Sequence, residues 1–278
     1  MKKYGLIPAA ALSGGVLCFF LRLVQNRTGF EPDTGLPVAG NATAAALPVA
    51  FIITAVVILL LSCQLPSEKE DTKLPFTGYF IADGSLLPTL LVSGIFLWIL
   101  SGAMEVFFSL SQSSGGSEVL SSSGFLFPHL SLLMGLLSIL SGASLFPLAI
   151  ACRRRGDGNP PAFNGNLLLI PLACLVIRLV LAYREDSVNP ALSSYYVEIL
   201  ALTFLILSLY RASSFAFHCG RTRRFAVYTG CALALCVTML TDCRTVADAL
   251  LYLGGVLLML SLLLMRLNGI SRPFPSQN

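Results

Sequence analysis

Charge is what this sequence has least of. Lysine, arginine, aspartate and glutamate make up 12% of its 278 residues, against 55% apolar residues and a mean hydropathy of +0.80. Soluble domains carry roughly 25% charged residues, so a water-soluble fold is excluded. Polar stretches long enough for a separate soluble domain are also missing, the longest being about twenty residues. The apolar runs lack the two-residue alternation of a transmembrane β-barrel. HExxH, GxSxG, P-loop and CxxC patterns are absent, and the cysteines form no cluster with histidine. The sequence therefore predicts no enzyme, no metal site and no cofactor. Of the eight cysteines, Cys18, Cys174, Cys231 and Cys236 lie inside apolar runs, which is no disulfide framework. The formal charge of +4 gathers at the ends of these runs rather than in a stripe, so nucleic acid is not an expected partner.

What is present is a series of apolar segments, each able to cross about 30 Å of hydrocarbon. Eight are readable, at 5–25, 43–65, 86–109, 129–151, 166–183, 193–216, 226–242 and 248–266. Lys2, Lys3, Lys69, Lys73, Arg153–Arg155, Arg211, Arg221, Arg223, Arg224, Arg266 and Arg272 fall on one side. Arg22, Arg27, Arg184 and Arg244 fall on the other, and Arg178 lies within a span. Thirteen basic residues against four, alternating correctly over eight crossings, put both termini in the cytoplasm. Met1-Lys2-Lys3 before an apolar run has the start of a signal peptide, but no small-residue cleavage site follows. The expected fold class is all-α: a polytopic membrane bundle of eight transmembrane helices, N-in and C-in, in one domain over 1–278. Its compactness suggests a bacterial cytoplasmic (plasma) membrane.

The two halves, 1–152 and 165–268, have the marks of a parallel 4+4 repeat, followed by a short cytoplasmic tail at 269–278. Arg22-Leu23-Val24 before Arg27 matches Arg178-Leu179-Val180 before Arg184. The third and seventh spans each close on an acid, Glu105 and Asp242. Low-complexity apolar sequence also matches itself, so the alternative to a true repeat stays open. Ser131, Gly135, Ser138 and Gly142 make a small-residue stripe on one helix face, as do Ala10/Gly14 and Ala11/Gly15. In lipid such faces let helix backbones approach closely, and helix packing is their expected use.

The ionisable residues within or bordering the spans are Arg22, Glu105, His129, Arg178, Glu198, Asp242 and Asp248, all in the outer half. A charge at mid-bilayer costs about 2.5–3.5 kcal/mol on insertion scales and marks a functional site by default. Arg178 and Glu198, at similar depths on neighbouring arms, are the pair expected to need one another. The remaining five lie close enough to the interface to reach water by snorkelling. Arg22, Glu105, Arg178, Glu198 and Asp242 are the candidate substrate-binding residues. In that reading the arginines hold an anionic group, and the carboxylates act as counter-charges or proton acceptors. The sequence thus supports a carrier or binding protein for a small, anionic solute. The alternative is a non-transporting scaffold or accessory subunit packed against a partner membrane protein. Either way the lipid bilayer is the surrounding partner.

Overall fold

Helix length follows from the apolar runs. The computed structural model describes residues 5–30, 38, 42–66, 76–82, 84–114, 128–153, 164–186 and 195–271. Among the described residues the chain forms α1 (Leu6–Thr28), α2 (Ala42–Cys63), a single turn α3 (Phe76–Tyr79), α4 (Leu86–Ser114) and α5 (Pro128–Arg153). After them come α6 (Leu169–Asp186), α7 (Tyr195–Ala216), α8 (Thr222–Met239) and α9 (Val246–Ser271). Seven of these, α1, α2, α4, α5, α6, α7 and α9, are long and apolar enough to cross a membrane. The fold is that of a multi-pass helical membrane protein.

The predicted segments all fall on helices, with ends shifted by a few residues. The segment at 226–242 corresponds to α8, which begins with Thr222-Arg223-Arg224 and is not among the seven. Thirteen of its eighteen residues are buried. The segment at 166–183 opens as a 3-10 turn over Gly165–Leu168, where the Asn164 side chain accepts a hydrogen bond from the Asn166 N–H. Pro171 stands just beyond; its ring conflicts with an α-helical carbonyl at Leu167, so the tighter turn before it relieves the clash. α3 was not legible as an element.

The centre is α9, with 72% of its apolar window buried, and the margin is α2, with 22%. Burial does not follow hydropathy here: α2, the more apolar of the two, is the less buried, because lipid is as apolar as a neighbouring helix. α8 packs against α1, α2, α7 and α9, and α4 against α5 and α9. The contacts depend on missing side chains. A Cβ on Gly102 of α4 would stand 2.6 Å from the Gly135 carbonyl oxygen of α5, and one on Gly135 would stand 2.8 Å from that of Gly102. Gly142, in the same predicted stripe, faces Ile99, while Ser138 lies 3.8 Å from Cys174 of α6. Gly14 faces Thr54 of α2, and Gly15 faces Ala234 of α8. The small-residue faces are therefore helix–helix contacts, as predicted. Gly135→Val would set side-chain atoms against backbone and is expected to destabilise by about 1–3 kcal/mol, read as a lower melting temperature in detergent.

The bundle has two chemically distinct ends. Phe76, Phe80, Phe215 and Phe225 interlock at the end where α7 finishes and α8 starts, with ring centroids 4.7–5.8 Å apart. Arg266, counted in the sequence as a terminal topology residue, is buried in this plug. Its guanidinium donates to the Thr222 hydroxyl and the Tyr79 carbonyl and lies 4.9 Å from the Phe215 ring centroid. The opposite end holds the charges.

Candidate functional site: a buried ion-paired network

Three helices supply the central group. Arg178 of α6 donates from Nη1 to Glu105 Oε1 of α4 at 2.6 Å and from Nη2 to Asp248 Oδ1 of α9 at 2.6 Å. The guanidinium is 4% exposed, Glu105 7% and Asp248 18%. Arg178 thus uses its fork to tie two separate carboxylates rather than to grip one. Glu105 Oε2 is buried with no hydrogen-bond partner among the described residues. One turn before Glu105, Ser101 donates to the Ala247 carbonyl at 2.7 Å and fixes α4 against the start of α9.

Asp248 is held from both sides. Its Oδ2 accepts from the Thr245 backbone N–H at 3.2 Å and the Thr245 hydroxyl at 2.7 Å, while its own N–H donates to that hydroxyl. This is a reciprocal capping box on Thr245-Val246-Ala247-Asp248, satisfying donors at the head of α9. One turn further, the Tyr252 hydroxyl donates to Glu198 Oε1 of α7 at 3.3 Å.

A second pair lies beside the first. Arg22 Nε of α1 donates to Asp242 Oδ2 at 2.7 Å, with exposures of 1% and 3%. Arg22 Nη1 also donates to Gln25 Oε1, and Asn26 Nδ2 to Asp242 Oδ1. Asp242 and Cys243 lie in the connection between α8 and α9. The Cys243 thiol donates to the Met239 carbonyl. Burial, and then the carboxylates of Asp248, Glu198 and Asp242, push its pKa up to about 12.

The helix ends recess this network. α4 runs nine residues past Glu105, α6 eight past Arg178 and α1 six past Arg22, which is roughly 13, 12 and 9 Å of helix. The α8–α9 connection turns over at 240–245, level with the charges. Arg244 on it and Val246 at the head of α9 are exposed.

Two sequence expectations change. Arg178 pairs with Glu105 and Asp248, and Glu198 takes the Tyr252 hydroxyl instead. The reason is depth: α6 continues to Asp186 and α7 begins only at Tyr195. Arg178 is then eight residues from its helix end and Glu198 three from its own, a mismatch of roughly 7 Å. Arg22, Glu105 and Asp242 do not snorkel; they are as buried as Arg178 and are paired internally. Gln25, Asn26, Thr245 and Tyr252 were missed, although the T-x-x-D capping pattern was readable. Glu31, Asp33, Lys69, Lys73, Arg154 and Arg155 lie outside the described residues, as do the side chains of Arg153, His129, Glu185 and Asp186. Comparison with family models, curated proteins and solved structures finds no match.

Proposed function

We propose that the chain is a carrier for a small anionic solute, crossing a plasma membrane eight times with both termini cytoplasmic, and closed here on its outer side. The observation that carries this reading is the seating of Arg178. Two carboxylates from two other helices occupy the planar donor positions that a carboxylate, phosphate or sulfate ligand would use. Binding is then an exchange of an internal anion for an external one at the floor of a recess. A buried ion network adds little to stability over apolar packing, so its presence in a chain this short of charge favours a working site.

The eight-crossing count takes in α8. A helix packed against four others exposes little of itself to lipid, so its lower hydropathy does not bar it from crossing. Arg223 and Arg224 at its start lie with the other basic residues, as the positive-inside rule asks. Support for the repeat is that Arg22 and Arg178, its matched residues, are both buried and both ion-paired.

An incoming anion frees Glu105 and Asp248 from Arg178 in a buried setting that also holds Glu198, Tyr252, Cys174 and Cys243. Protons taken up by the freed carboxylates would restore neutrality, so anion binding should strengthen as pH falls. The test is a thermal-shift screen of carboxylates, phosphate and sulfate at two pH values. A ligand at about 100 times its Kd adds about 2.7 kcal/mol, so at least one anion should raise the melting temperature, more at the lower pH. The charge-neutral triple variant Arg178→Gln/Glu105→Gln/Asp248→Asn should lose the shift. Flat curves across the screen would favour the scaffold reading, in which the pairs only hold helices together.

A further inference from the structure

We infer a second site, for an anionic phospholipid, on the seam between α7 and α8 and away from the ion network. A cavity of about 170 Å³ opens sideways between α2 and α7, floored by α8. Its floor is apolar and small-sided, with Ile58, Cys231 and Ala234 buried, and its rim carries exposed Ile52 and Leu200. A sideways apolar opening in a membrane protein faces hydrocarbon, which makes an acyl chain its natural occupant.

The seam supplies the headgroup contact as well. Leu200, Phe204 and Arg211 follow one another at i, i+4 and i+11, so they share one stripe of α7. Phe204 at the cavity meets Tyr228 of α8 in a tilted pair with centroids 6.3 Å apart, and the Arg211 guanidinium lies 5.7 Å from the same Tyr228 ring and 5.5 Å from that of Tyr210. Two aromatic faces hold the cation in place, and Arg211 Nε is buried with no hydrogen-bond partner among the described residues. A phosphate oxygen satisfies that donor. Arg221, Arg223 and Arg224 at the head of α8 add positive charge at this end of the bundle.

The spacing fits a lipid rather than a free ion. From Arg211 to Phe204 is seven residues and to Leu200 eleven, roughly 10 and 16 Å along the helix. One leaflet contributes about half of the ~30 Å hydrocarbon core. A headgroup on Arg211 therefore brings the far end of its chain to the cavity, near the bilayer centre.

The full chain, delipidated in detergent, is offered dioleoyl phosphatidylglycerol and a phosphatidylglycerol with a photoreactive diazirine at the chain terminus. The expected result is retention of phosphatidylglycerol in native mass spectra and crosslinks concentrated in 200–204 and 231–235. Arg211→Gln should weaken retention by about tenfold, the loss of one charge-assisted contact. Ala55→Phe, which fills the cavity from the half-exposed side of α2, should abolish the crosslinks even if Arg211→Gln fails to fold. Three results would overturn the site. One is crosslinks spread evenly over the lipid-facing helices; another is retention unchanged in both variants. The third is displacement by glycerol 3-phosphate as effective as by the intact lipid, which would mark a free-phosphate site.

Discussion

Arg178→Gln alone is expected to cost about 3–5 kcal/mol of stability, more than any single apolar truncation on the bundle's lipid face. The substitution removes the cation but leaves Glu105 and Asp248 where they are, 7% and 18% exposed. An uncompensated buried charge carries the full desolvation penalty, whereas a pair removed as a whole is close to neutral. Glu105→Gln and Asp248→Asn added to Arg178→Gln should therefore recover most of the loss. Reversible unfolding of the single, double and triple variants gives the coupling directly. Additive losses would mean that the groups do not share a site.

Asp242→Ala should be nearly as damaging, at about 3 kcal/mol. Asp242 is the acceptor for Arg22 Nε at 2.7 Å, and the Arg22 side chain is 1% exposed. The same substitution strips Asn26 of its acceptor. The rescue is specific: Arg22→Met with Asp242→Leu should melt within a few degrees of the wild type, while Arg27→Met with Asp242→Leu should not. Equal melting temperatures for the two double variants would deny the pairing.

The fold was largely legible because bilayer physics leaves so few choices. Eight apolar runs of the right length give helices, and every run lies on one. Small residues at spacings of four and three marked contact faces on α5 and α1, though not which neighbour each meets. α8 differed because its composition is that of a helix shielded by neighbours, with Gly230, Cys231, Ala232 and Ala234 in place of the leucines of α9. The candidate site was legible as a set of residues but not as a set of pairs. Arg22, Glu105, Arg178, Asp242 and Asp248 are drawn into ion pairs at one end of the bundle. Partner choice depended on helix ends, and three residues more on α6 with two fewer on α7 were enough to move Glu198 out of register with Arg178. Asp248 was misjudged as an interface residue because the recess of the α8–α9 connection is a tertiary feature. Nor does any local pattern announce the aromatic plug around Arg266, whose members come from four separated segments.

Opening of the network at Arg178 by an anion has a reporter built into the chain. Asp248 both binds Arg178 and caps the head of α9, so releasing it loosens the connection that carries Cys243. With its pKa pushed up to about 12, Cys243 is almost entirely thiol at pH 8, and its reaction with a membrane-impermeant maleimide should be far slower than that of an ordinary exposed thiol. In a Cys63→Ser background, exposed Cys219 at the opposite end of α8 reports leakage, since it should label only from the cytoplasmic side. The measurement is the rate of Cys243 labelling from outside sealed, right-side-out vesicles, with and without the anion that raises the melting temperature. Labelling should be slow, quicken about tenfold or more with the anion, and stay slow in the charge-neutral triple variant. A rate indifferent to every anion, or labelling of Cys243 only from the cytoplasmic side, would contradict it.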